Sequence, residues 1–128
     1  MRLLLDSQAL IWAVDEPAKL STASATAIQD PANELLLSAA TVWEIAIKIG
    51  LKKLSLSLPF RQWMNQAIAD LSLFLLPITV EYADAQSSLP HHHRDPFDRL
   101  IVAQALADTI RVVSADPAFE LYGVDRLW

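Results

Sequence analysis

The sequence predicts an α/β domain on a mostly parallel sheet, and three observations carry that prediction. Short apolar runs such as Leu3-Leu4-Leu5 alternate with longer segments whose apolar residues recur at helical spacing. Those runs are continuous rather than alternating, as in strands covered by helices on both faces. The chain has 128 residues, 53% of them hydrophobic, which suits one core and a single domain over 1–128.

Leu3-Leu4-Leu5 is the first buried strand, and Asp6-Ser7 caps a helix running to about Val14. An Ala-rich helix covers Ser21 to Asp30 and is stopped by Pro31. Glu34 to Ser38 is the next strand. Thr41 to about Lys52 is a helix, with Val42, Ile45, Ala46 and Ile49 at helical spacing. Pro59 takes the tolerated first position of a helix reaching about Leu71. Leu73 to Leu76 is a strand ending at Pro77, and a helix follows from about Val80 to Ser88. Beyond the polar loop Pro90-His91-His92-His93-Arg94, Asp95-Pro96 opens a helix to about Ala107. Arg111 to Ser114 is a strand, and Val124 to Leu127 a short last one.

Composition narrows the function. The absence of Cys excludes a disulfide framework and thiolate metal sites, and suits a reducing cytoplasm. Two isolated glycines cannot build G-x-G-x-x-G or a P-loop. No G-x-S-x-G elbow supports serine hydrolase chemistry. No uncharged apolar run approaches the roughly 18 residues of a membrane span, so no membrane partner is expected. Ten Lys and Arg against fifteen Asp and Glu give a net charge of −5, which at face value argues against nucleic acid.

Ligands of open α/β sheets collect at the carboxyl ends of the strands, so the acids found there matter most. Asp6 directly follows the first strand, and Asp116 follows Val112-Val113 closely. Glu44 and Asp98 lie in the first turns of helices. Each has a plain reading as a cap: Thr41-x-x-Glu44 matches a capping box, and Asp95-Pro96 and Asp116-Pro117 are cap plus proline. As a set they say more. Four carboxylates packed without counter-charge repel. A hard divalent cation such as Mg²⁺ or Mn²⁺ removes that penalty and opens metal-dependent nuclease chemistry.

The stretches Leu3-Leu4-Leu5-Asp6-Ser7, Ser38 to Lys48 (SAATVWEIAIK), His92 to Ala105 (HHRDPFDRLIVAQA) and Ser114-Ala115-Asp116 carry a family resemblance. In them the chain resembles the PIN-domain ribonucleases, specifically the VapC-type toxins of bacterial toxin–antitoxin systems. The resemblance implies a three-layer α/β/α sandwich with a mostly parallel sheet, and an acidic site binding Mg²⁺ or Mn²⁺. It puts the family's four acids on Asp6, Glu44, Asp98 and Asp116. Asp95 rivals Asp98 for the third place, and Asp98 is preferred because it stands just before the apolar run. Ser7 and Ser114 stand where the family often carries Thr, and either hydroxyl can orient a carboxylate or water.

The implied mechanism has Asp6, Asp98 and Asp116 holding the metal, with Glu44 ligating it or positioning the attacking water. The expected products are a 5′-phosphate and a 3′-hydroxyl. The implied partners are RNA, a cognate antitoxin and a second copy in a homodimer. Arg99 and Lys48 are candidate phosphate contacts, against the plainer readings of a surface Arg and a Glu44–Lys48 ion pair.

Other signals count for less. His91-His92-His93 invites a zinc reading, but consecutive loop residues rarely converge on one ion, so this is taken as a polar loop at the site's mouth. Among four tryptophans, Trp63, with Met64, is the candidate for a partner surface. A phospho-acceptor receiver domain is one alternative; the chain lacks its adjacent acids after the first strand and has no Lys beyond Lys53. A PIN fold kept only for protein binding is the other, and the intact acid set argues against it. The four site acids account for four of the five net negative charges, so the acidity is largely the site itself.

Overall fold

The computed structural model describes residues Met1–Trp128. One sheet holds β1 (Arg2–Leu5), β2 (Glu34–Ser38), β3 (Phe74–Leu76), β4 (Arg111–Val113) and β5 (Arg126–Leu127) in the order β3-β2-β1-β4-β5. Every pairing is parallel, so the expected mostly parallel sheet is wholly so. The connections are helical: α1 (Ser7–Asp15), α2 (Thr22–Gln29), α3 (Ala39–Gly50), α4 (Phe60–Asp70), α5 (Val80–Ser87) and α6 (Pro96–Asp108). Short 3₁₀ turns cover Pro17–Lys19 and Pro117–Tyr122. This strand order removes the receiver alternative, whose doubly wound sheet runs 2-1-3-4-5.

The Leu runs are continuous because both sheet faces are covered. Leu3, Leu5, Leu35 and Leu37 point into a core shared with Leu10 of α1, Ile28 of α2, Ile45 of α3 and Trp63 of α4. Leu4, Leu36 and Val112 point the other way, against Ile101, Val102 and Ala105 of α6 and Phe119. Truncating a fully buried residue such as Leu4 to Ala costs about 2–5 kcal/mol. In register, Leu5 pairs with Leu37 and with Val113, so β1, β2 and β4 end level at one carboxyl edge.

Three local expectations are corrected. The α3 helix starts at Ala39, with Ser38 as its cap accepting from the Ala40 N–H at 3.1 Å. Thr41 is therefore inside the helix, its hydroxyl buried without a partner, and Thr41 and Glu44 form no capping box. The strand passes into the helix with no loop, so the cap falls three residues early. Pro59 stands one place before α4, in extended conformation, as its cap residue. Trp63 and Met64 are core residues, 1% and 4% exposed, and offer no partner surface. The indole N–H of Trp63 is satisfied by Asp15 at 3.0 Å, which lets the ring be buried whole. The exposed tryptophan is Trp43, at 62%.

Candidate active site

The level carboxyl edge of β1, β2 and β4 is where the sequence's four acids arrive. Asp6 is the residue after β1, and its position as cap of α1 fixes the carboxylate. Asp6 Oδ1 accepts the Ala9 N–H at 2.8 Å, and Oδ2 accepts the Ser114 hydroxyl at 2.5 Å. Ser114 follows β4, so this bond ties together the exits of two adjacent strands. Glu44 comes from the second turn of α3, is 1% exposed, and accepts Lys48 Nζ at 2.6 Å and the Ser7 hydroxyl at 3.3 Å, both on Oε2. Its other oxygen, Oε1, is buried with no partner at all.

Asp98 arrives from α6, which runs antiparallel to the strands and so begins at their carboxyl edge. Asp95 is the cap of α6, with Oδ1 accepting the N–H groups of Phe97 at 2.8 Å and Asp98 at 3.4 Å. That occupation leaves Asp98, not Asp95, free to face the other acids. Asp116 caps the 3₁₀ turn through Oδ1 and Ala118 N–H at 2.9 Å, while its own N–H donates to Ser114 Oγ at 3.0 Å.

The electrostatics record the convergence. Burial, above all, pushes the Asp6 carboxyl up to about 6, against the bonds from Ser114 and Ala9, with the charges of Glu44 and Asp116 adding to the rise. Burial likewise pushes Asp98 up to about 7, reinforced by the charges of Asp95, Asp6 and Glu44. Lys48 is raised, first by its bond to Glu44 and then by Coulomb attraction to Glu44, Asp95 and Asp98. Lys48 thus takes the plainer of its two expected roles, as the partner of Glu44.

Two positions depart from expectation. Arg99 is neither a surface residue nor a phosphate contact: it is 6% exposed. Its guanidinium donates to the carbonyls of Pro90 at 2.8 Å, Gln86 at 3.2 Å and Leu89 at 3.3 Å, and to the Tyr122 hydroxyl at 3.3 Å. A buried Arg with its donors satisfied by carbonyls is a clamp on the 86–90 segment. His93, read only as part of a polar loop at the site's mouth, enters the site itself. Its Nε2 lies 3.2 Å from both Asp98 Oδ2 and Asp116 Oδ2. Its position two residues before the Asp95 cap was the available signal. His91 and His92 do not join the acids, and His92 packs edge-on against Tyr122.

The donor set fits a hard divalent cation. Carboxylate oxygens dominate it, one of them buried and orphaned, and among side chains only Lys48 and His93 bring N–H groups to the four acids. His93, Asp98 and Asp116 offer ligand-type atoms within 4.8 Å of one another. The exposed Trp43, next to Glu44, packs edge-to-face on Phe97, next to Asp98, at 5.7 Å between ring centres.

A parallel sheet ordered β3-β2-β1-β4-β5 with acids at the exits of β1 and β4 and on α3 and α6 defines a class, and family comparison agrees. The PIN domain family model matches residues 3–124, and the chain belongs to that family. Among individual proteins, it is 33% identical over 114 residues to Ribonuclease VapC22 of Mycobacterium tuberculosis (strain ATCC 25618 / H37Rv), covering 88% of this chain and 85% of that one. The fold is shared with VapBC2 from Rickettsia felis, solved bound to a DNA fragment from their promoter. That likeness has a TM-score of 0.73 at 15% identity and covers 99% of this chain and 98% of the other. It is shared also with FitAcB from Neisseria gonorrhoeae, with a TM-score of 0.62 at 20% identity over 98% and 96% of the two chains. No helix is long and apolar enough to cross a membrane.

Proposed function

We propose that this chain is a Mg²⁺- or Mn²⁺-dependent endoribonuclease, the toxin of a toxin–antitoxin pair, working as one PIN domain over 1–128. The observation that supports it most is the buried, unpartnered Glu44 Oε1 among Asp6, Asp98 and Asp116, an arrangement whose charge repulsion a bound cation would relieve. Membership of the PIN family and the likeness to Ribonuclease VapC22 support RNA as the substrate.

Asp6, Asp98 and Asp116 would hold the ion, with Glu44 as a ligand or as the acceptor that orients the attacking water. Bound there, the ion would supply Lewis acidity toward the phosphodiester and lower the pKa of a water. Ser114 and the Ala9 N–H fix the Asp6 carboxylate, Ser7 and Lys48 fix one oxygen of Glu44, and Asp95 holds the start of α6 so that Asp98 projects inward. Such fixed donors reduce the reorganisation needed on the way to the transition state. Solved toxin–antitoxin relatives of the same fold support an antitoxin partner. A homodimer and a cytoplasmic setting complete the reading.

The test is cleavage of RNA by the purified chain. Mg²⁺ or Mn²⁺ should support it, EDTA should stop it, and the products should carry a 5′-phosphate and a 3′-hydroxyl. Activity unchanged in EDTA, or equal in Asp98→Asn, overturns the reading.

A further inference from the structure

His93 is held in the acidic site by an arrangement that fixes which of its ring nitrogens carries a proton. The backbone N–H of Asp95 donates to His93 Nδ1 at 3.0 Å. A backbone amide only donates, so Nδ1 must present its lone pair, and in the neutral ring the proton then sits on Nε2. An N–H at Nδ1 would set two donors against each other. Nε2 is the nitrogen aimed at Asp98 and Asp116. It faces the site as a donor, with no lone pair to give a metal.

The ring's mounting is rigid. The backbone N–H groups of His92 and His93 both donate to the Tyr122 hydroxyl, at 3.0 and 2.8 Å, and buried Arg99 anchors that oxygen and the Pro90 carbonyl. This support holds the loop by its backbone and does not depend on the imidazole.

We infer that His93 is a substrate-binding residue that donates its Nε2–H to an oxygen of the RNA phosphodiester, and is not a metal ligand. The inference rests on the ribonuclease reading. An anionic phosphodiester entering four carboxylates needs donors, and only Lys48 and His93 bring N–H groups to the cluster from their side chains. Lys48 is already engaged with Glu44 at 2.6 Å. The oxygens that His93 contacts belong to Asp98 and Asp116, which would turn to the cation and leave the Nε2–H for the substrate.

Mn²⁺ binding by titration calorimetry, on the full chain without RNA, separates donor from ligand. In His93→Ala the Mn²⁺ affinity should stay the same or tighten, because the imidazole N–H competes with the ion for the same oxygens. A tenfold weakening would make His93 a ligand and overturn the inference. Kinetics on a synthetic single-stranded oligoribonucleotide cut by the wild type provide the second readout. His93→Ala should lose about 10- to 100-fold in kcat/KM, the range for a hydrogen bond to a charged acceptor, carried mainly by KM. His93→Gln, which keeps an N–H donor, should recover most of that loss, and His93→Glu, which offers only a metal-type oxygen, should not. Equal kcat/KM in wild type and His93→Ala overturns the role of His93 and leaves the ribonuclease reading standing. A wild type inert toward RNA in Mg²⁺ and Mn²⁺ removes both.

Discussion

Asp6 and Glu44 form one half of the acidic site, and Asp98 and Asp116 the other; the two halves are built differently. The first pair is buried, at 7% and 1% exposure, and three of its four oxygens are occupied by the chain's own donors. The second pair lies nearer solvent, and its Oδ2 atoms meet the His93 imidazole at 3.2 Å. The buried half is fixed by folding and the outer half is exchangeable, so ion binding should be felt most at Asp98 and Asp116. A site can have a rigid floor and a yielding rim while all its ligands are of one chemical type.

The strongest way to break this contrast is substitution in each half. Asp98→Asn should abolish metal-dependent cleavage and yet stabilise the metal-free protein. The carboxyl is raised to about 7 from 3.8, a penalty on the charged form of order 4 kcal/mol at about 1.36 kcal/mol per pKa unit. Thermal unfolding in EDTA at pH 8 should therefore show a higher Tm for the variant. Asp6→Asn should abolish cleavage as well but gain little stability, because the amide replaces an oxygen that now accepts from Ser114. Equal gains from both would erase the distinction between the halves.

The pH dependence sharpens it. Both raised carboxyls bind protons more tightly in the folded state than in the unfolded one. Their contribution to stability is complete below about pH 4 and is lost as pH rises through about 6 and 7. Urea unfolding in EDTA should give a stability lower at pH 8 than at pH 5 by on the order of 3–4 kcal/mol. Mn²⁺ should flatten the profile, since it stabilises the charged carboxylates.

Two further variants probe the supports of each half. Arg99→Ala strips the clamp from three carbonyls and from Tyr122, and should cost about 2–4 kcal/mol in denaturant unfolding. Its cleavage should fall through the misplaced His93 loop, with the salt dependence of RNA binding unchanged, because Arg99 touches no phosphate. Lys48→Ala leaves Glu44 buried without its cation. Because Lys48 is itself partly exposed, the loss should be only about 1–3 kcal/mol in EDTA, and smaller in Mn²⁺.

Much of this was legible in the chain alone. The β2 strand falls at Glu34–Ser38 as read, and α6 and the β4 strand lie within a residue or so of their sequence-based bounds. Leu3-Leu4-Leu5 declared a strand covered on both faces because every residue of it is apolar. The acids were visible because Asp6 directly follows β1, Asp116 follows β4 closely and Asp98 opens α6. Glu44, read in the first turn of its helix, stands in the second turn of α3. The ends of parallel strands share one edge. The Thr41 capping box failed locally, because Ser38 already caps the helix. Two other errors share a cause. The surface reading of Arg99 and the exposed reading of Trp63 were drawn from neighbours a few residues away and decided by partners further off. Asp15 satisfies the Trp63 indole across the fold, and Gln86, Leu89, Pro90 and Tyr122 take up Arg99.

Sequence by itself determined the class of fold and the alternation of its elements, and it singled out four acids, because periodicity and element ends are local and repeated. Only the tertiary structure decided which oxygens are free, which nitrogen of His93 faces the acids and which tryptophan meets solvent. The bond from Ser114 to Asp6 spans 108 positions, and nothing near either residue announces it. Hydrogen-bond partners are chosen by geometry after the chain has closed on itself, and a site built from four separate elements exists only then.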